Sequence, residues 1–170
     1  MQRFASARYR VALGIVLIAV LHSVAFASGA EAAGGGAVSD RAADAAERAD
    51  LVVLGRVAAK RSYLPVDGGF GYDIVVSETL KGTESGTCSF RAGGWAYQVD
   101  LGIGAEVLLF LEESDAFLPA ERFKPAYGPE RGLLVFLVRA GRLAAATGEG
   151  EPGWEGRSVS EVREAVAAAK

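Results

Sequence analysis

The 170-residue chain has one histidine and one cysteine. His22 lies in the apolar part of the N-terminal segment, so removing that segment leaves no histidine at all. Activating a nucleophile needs a base that titrates near neutrality, and histidine is the usual one. Ser-His-Asp and Cys-His arrangements are therefore excluded from the mature chain. A Ser-Lys pair would have to use Lys60, Lys81, Lys124 or Lys170, and none of these stands in a recognisable motif. The lone Cys88 can form neither an internal disulfide nor a structural zinc site, which needs clustered Cys and His. No Asp-x-Asp-x-Asp-Gly run offers the oxygen ligands of a calcium loop, and no motif implies a cofactor. Positive charge is short as well, with 18 Lys and Arg against 21 Asp and Glu. Residues 1–27 hold three arginines and no acid, so their loss moves the formal net charge from −3 to −6. Such a chain has no electrostatic footprint for nucleic acid or an anionic membrane surface.

What the N-terminus does have is the form of a secretory signal peptide over residues 1–27. Arg3, Arg8 and Arg10 precede Val11 to Ala27, which carries no charge fixed at neutral pH. Ala25 and Ala27 put small residues where a signal peptidase reads. The expected destination is the periplasm or the cell exterior. The arginines are not twinned, and no cysteine near the cleavage region could carry a lipid. An uncleaved anchor is the competing reading, because an apolar run of about 17 residues is at the short edge of spanning length. Residues 28–39, with Gly34-Gly35-Gly36, read as a flexible linker. Residues 40–170 have the length of a single domain with its own core.

Within that domain, Ser39 is placed to cap a short helix from about Asp40 to Ala49, with Ala42, Ala43, Ala46 and Ala49 as a shallow apolar stripe. The chain is then organised around one alternating strand. Phe70, Tyr72, Ile74 and Val76 share a face, and Asp73, Val75 and Ser77 take the other. Leu51–Val57 and Val107–Leu111 have the composition of strands that pair beside it. Gly55 marks a bulge or close backbone approach, and Val107–Leu111 suits a strand covered on both faces. Thr87 to Arg91 alternates with Cys88 and Phe90 on one side. Residues 112–131 suggest a weak strand or a wandering loop. Leu133–Val138 and Arg142–Ala146 flank a hairpin connection at Arg139-Ala140-Gly141. Ser158 and Glu161 form a capping box for a closing helix lined by Val159, Val162, Val166 and Ala169. The expected fold is mainly β, a barrel or sandwich with a short leading helix and a closing helix.

The order Ala49-Asp-Leu-Val-Val-Leu-Gly-Arg-Val57, Glu78-Thr-Leu-Lys-Gly82, Gly93-Gly94 and Gly104-Ala-Glu-Val-Leu-Leu-Phe-Leu111 resembles a group of bacterial exported proteins. These look like the OB-fold of tissue inhibitors of metalloproteinases and netrin modules. Ser158-Val-Ser-Glu-Val-Arg163 is similar to the capped helix that ends many of them. The resemblance spans residues 49–170 and implies an OB-like Greek-key barrel. It does not carry over the inhibitors' chemistry. That chemistry uses a disulfide-linked cysteine at the mature N-terminus, where this chain would begin near Ser28.

Trp95 and Tyr97, after Gly93-Gly94, have two readings: a recognition surface on one rim, or plugs that close the barrel end. Cys88 is either a reactive thiol or a small apolar side chain on an inward face. Glu112, Glu113 and Asp115 could serve glycoside hydrolysis only if two of them faced each other across a cleft; a solvated turn after the strand is the plainer reading. Gly102-Ile103-Gly104 is no phosphate loop, since a strand-like run without Lys-Ser/Thr follows. The expected function is a non-enzymatic, exported binding or interaction module with a protein or glycan partner. The alternative, by fold analogy alone, is an inhibitor or regulator of an extracellular hydrolase. Expressed in a bacterium with its own leader, the protein is expected to start at Ser28 by intact mass. A mass that retains residues 1–27 would establish the anchor instead.

Overall fold

Strand β1 (Leu51–Ser62) is apolar on both faces at its start because both faces are covered. Leu51, Val53 and Val57 enter one buried cluster, while Val52 and Leu54 enter a second. Strand β4 (Glu106–Glu113) repeats the arrangement, with Val107, Leu109 and Leu111 in the first cluster and Leu108 and Phe110 in the second. The two strands pair antiparallel, Leu51 opposite Leu111, Val53 opposite Leu109 and Gly55 opposite Val107, so like-facing residues lie side by side. The computed structural model describes residues 35–63, 69–92, 99–115, 122–128, 130–146 and 150–169.

The first cluster fills a barrel. β1 pairs with β2 (Phe70–Lys81), and β2 pairs with β3 (Thr87–Ala92). β3 meets β5 (Phe123–Pro125) in parallel, and β5 pairs with β4, which returns to β1. Five strands thus close a ring in the order β1-β2-β3-β5-β4. Its narrowest seam is between β3 and β5, joined through the single pair Phe90 and Phe123. Arg122 crosses this region, bonded to Glu113 at the end of β4 and to Glu84 in the β2–β3 turn. Strands β6 (Val135–Arg139) and β7 (Arg142–Ala145) form a hairpin that extends the sheet from β4. Its two-residue turn, Ala140-Gly141, has positive φ at both positions, the twist a tight hairpin needs.

Closing so few strands needs a sharply coiled β1. The β1–β2 register shifts at Val52/Val53, Leu54/Gly55 and Val57/Ala59, and each such irregularity adds bend and twist. At Gly55 the strands come so close that a Cβ would lie 2.5 Å from Ile74 Cγ2 and 2.6 Å from the Val75 carbonyl oxygen.

The second cluster lies between the outer face of β1, β4 and β6 and a layer of two helices, α1 (Gly35–Arg48) and α2 (Val159–Ala168). Ala42, Ala45, Ala46 and Ala49 of α1 and its C-terminal flank are buried, and their small side chains let the helix lie close to α2 and the sheet. Trp154 fills the centre, its ring stacked on Phe136 at 5.0 Å and edge-on to Phe110 at 5.3 Å between centroids. Polar contacts fix the helix ends. Lys81 Nζ donates to the carbonyls of Ala46 and Glu47 in the last turn of α1, where a cation also suits the helix dipole. Ser158 and Glu161 cap α2 reciprocally, and Arg163 reaches Glu78 on β2 through two bonds.

Several expectations are corrected. Helix α1 starts at Gly35, inside the glycine run, so Ser39 is within the helix and not its cap. Its buried stripe takes Ala45 and leaves Ala43 half-exposed, because the helix faces two neighbours, α2 and the sheet. Val107–Leu111 pairs with β1, not with the central strand. Glu112 and Glu113 are the last residues of β4, not a turn after it. Beyond Glu113, the 112–131 stretch holds the three-residue β5 among its described residues, the weak strand expected there. The capping box and the double-faced β4 follow the expected pattern, while the hairpin connection is tighter than the expected 139–141, because Arg139 pairs with Arg142 as the last pair of β6 and β7.

Gly55→Ala is expected to destabilise the fold by about 1–3 kcal/mol, the usual cost of overpacking. Urea unfolding measures it, and a midpoint unchanged from wild type would show that β1 and β2 can separate there freely.

Candidate functional site

Successive residues of β2 do opposite jobs at one end of the barrel. Tyr72 turns inward, stacked on Phe90 at 5.3 Å. Its hydroxyl donates to the Val99 carbonyl at 2.6 Å and accepts from the Leu101 N–H at 3.2 Å. Burial, with Asp100 adding to it against the Leu101 bond, pushes the phenol up to about 12, so it stays a neutral donor. Val99 and Leu101 are themselves buried in the barrel cluster. Residues 99–101, leading into β4, are therefore pinned to this end. Lys60 adds a second fastening, ion-paired with Asp100 at 2.6 Å while its ammonium sits 3.9 Å from the centre of the Phe70 ring.

Asp73, the next residue, turns outward and organises a polar face. Arg61 donates to both carboxylate oxygens, Nη1 to Oδ2 at 2.6 Å and Nη2 to Oδ1 at 2.8 Å. The Ser89 hydroxyl, opposite on β3, donates to Oδ1 at 2.6 Å. The paired strands put Arg61, Gly71 and Arg91 in one row across β1, β2 and β3, and Gly71 contributes no side chain between the two arginines. The Arg91 guanidinium lies 4.4 Å from the centre of the Tyr63 ring. Further along the face, Val75 is 51% exposed, opposite Thr87. The result is a platform of one aromatic ring, two guanidiniums, a carboxylate and a hydroxyl, each oriented by a neighbour.

The residues singled out in the sequence distribute as follows. Trp95 and Tyr97, and the cleavage-site residues Ala25 and Ala27, lie outside the described residues. Ala92 and Val99, which flank 93–98, are both buried in the barrel cluster at the end where Tyr72 sits. Cys88 is inside the barrel, and burial, with Glu84 adding to it, pushes its thiol up to about 12. Glu112 and Glu113 alternate along a strand and so face opposite sides; Lys124 holds the first and Arg122 the second. Lys60 is held by Asp100, and Lys81 by helix carbonyls. Gly104 turns with φ near +86° straight into β4.

Sequence reading missed Tyr63, Arg61, Ser89 and Arg91 as a group. Their partners lie on other strands, and nothing short of the strand register brings them together. The alternation of Asp73 against Tyr72 was the one legible signal.

Arg61, chiefly through its hydrogen bonds and helped by Ser89, holds the Asp73 carboxyl below its ordinary range. A depressed folded value means the carboxylate stabilises the fold above the unfolded value, about pH 4. That contribution is lost as pH falls through the folded value. Urea titrations from pH 7 to pH 3 should therefore show wild type losing more stability at the acid end than Asp73→Asn. Parallel profiles for the two would remove the ion pair from the stability of the fold.

No family model matches the chain, and no curated protein does so.

Proposed function

We propose that the protein is an exported, non-enzymatic binding module on an OB-type barrel, with the outer face of β1, β2 and β3 as its binding surface. The ring order, with β3 and β5 parallel and β1 closing on β4, supports the OB reading. Barrels of that type use the face of strands 2 and 3 and the adjoining loops for ligands. The observation that carries the proposal is the Asp73 constellation. Arg61 and Ser89 are fixed on its carboxylate, and Arg91 is fixed on Tyr63, before any ligand arrives. Groups already ordered lose little freedom on binding, so their interactions are not offset by ordering entropy.

Among the described residues, Tyr72, Ile74 and Phe90 pack together inside the barrel at this end. A ligand therefore sits outside. Its chemistry is that of a glycan or a protein segment: a flat apolar face to lie on Tyr63, and acceptors for the guanidiniums. A formal charge of −6 for the chain beyond residue 27 disfavours nucleic acid. Export rests on the N-terminal pattern of residues 1–27.

The test is direct binding to a glycan array and to fractionated periplasmic and extracellular proteins. Wild type from Ser28 onward would be compared with Tyr63→Ala/Arg91→Ala and with Trp95→Ala/Tyr97→Ala, each confirmed folded by circular dichroism. Binding weakened about tenfold or more in the first variant, a loss of roughly 1.4 kcal/mol, is expected. Loss in the second variant too would extend the surface to the β3–β4 connection. Full binding by the Tyr63/Arg91 variant would overturn the surface. Turnover of a bound ligand by wild type, abolished by changing one carboxylate, would overturn the non-enzymatic reading.

A further inference from the structure

Among the described residues, Glu151 is the one charged side chain that is buried, at 2% exposure. No cation pairs with it among those residues. Its carboxylate is held by backbone alone: Oε1 accepts the N–H of Glu130 at 3.0 Å, and Oε2 accepts the N–H of Gly132 at 2.8 Å. The loop that supplies these donors is closed on itself. The Gly128 N–H donates to the Gly132 carbonyl at 2.9 Å, and the Arg131 N–H to the Gly128 carbonyl at 3.0 Å. Arg131 takes a positive φ of 65°, which turns the chain so that the N–H groups on either side of it point to the same place. A Cβ on Gly128 would collide with the Glu151 carboxyl carbon, and a Cβ on Gly132 with the Glu151 Cα and N. Two glycines therefore form walls that admit a carboxylate and little else.

We propose that Gly128 and residues 130–132 form a carboxylate-binding socket, and that Glu151 is its built-in ligand. Two convergent peptide N–H groups in a buried site match the two oxygens of a carboxylate, and charge-assisted bonds of this kind are the stronger sort. An ionised carboxylate is costly to bury unless its oxygens are bonded, so the socket accounts for Glu151's position. What it holds is a strap. Gly150 bridges to Leu133, Trp154 sits under the helices, and residues 156–158 pair with Arg142 and Leu143 before Ser158 caps α2. The strap is thus fastened by a ligand-like contact that a free carboxylate of the same size can replace.

Chemical rescue tests this. Glu151→Ala leaves the two N–H donors facing a void of about the size of acetate. The melting temperature of the variant is expected to rise saturably with sodium formate or acetate, with half-saturation on the order of millimolar, as befits so few ligand atoms. Wild type, whose socket is full, should show only the smaller rise that matched sodium chloride produces in both proteins. Acetamide, which has one acceptor and brings N–H donors against N–H donors, should not rescue. Equal responses of variant and wild type, or rescue by acetamide as strong as by acetate, would overturn the proposal. If Glu151→Ala does not fold without additive, two readouts remain. Recovery of soluble folded variant on refolding with acetate but not chloride supports the socket, and equal recovery overturns it. In wild type, the Glu130 and Gly132 amides should exchange with deuterium far more slowly than the amide of Ile103, in an exposed turn. Exchange of all three at one rate would also overturn it.

Discussion

Strands β1 and β4 are buried on both sides, and the rest of the molecule follows from that constraint. A two-faced apolar strand cannot face water on either side, so the chain must build a layer against each face. On one side the sheet curls until β4 meets β1, and the strands' own side chains fill the lumen. On the other, two short helices lay alanine and valine over Val52, Leu54, Leu108 and Phe110. Neither layer is independent, because the same stretches of β1 and β4 serve both. Damage to the barrel at Gly55 is therefore also damage to the helical layer, and the fold should unfold as one unit.

The two layers use different chemistry for closure. Inside the barrel, large rings and branched chains interlock, and the Tyr72 hydroxyl is admitted because it bonds both Val99 and Leu101. In the helical layer, small side chains allow close approach, and the room left is filled by one large ring, Trp154. Its indole N–H has no partner among the described residues. An unpaired buried donor costs roughly 1–3 kcal/mol, so the apolar gain of enclosing that ring outweighs a real penalty.

How legible this was depended on the range of each interaction. The capping box of Ser158 and Glu161 and the alternation through Phe70 to Ser77 are set by neighbours within a few residues, and sequence alone places them; it places the β6–β7 hairpin connection to within one residue. The double burial of Val107–Leu111 was legible too, because a strand with one wet face would alternate and this run does not. The start of α1 was not: three glycines argue against a helix, and packing of the alanines beyond them prevails. The pairing of β4 with β1 rather than β2 depends on closure of the ring, which no local pattern encodes. The platform around Asp73 and the socket around Glu151 were equally hidden. Both join residues 12 to 28 positions apart through strand register or a loop's backbone, and the residue types involved are common on any surface.

Cys88 has a consequence for how the protein can be handled and where it can work. Its sulfur is enclosed by the barrel and stays protonated far above physiological pH, and it is the chain's sole cysteine. Thiol–disulfide exchange proceeds through an accessible thiolate, and here there is almost none. The folded state is accordingly indifferent to the redox poise around it. Neither an oxidising envelope nor a reducing cytosol changes its covalent structure, and no oxidase or isomerase is needed to complete it. The barrel's cohesion rests on noncovalent contacts alone, the same on either side of a membrane.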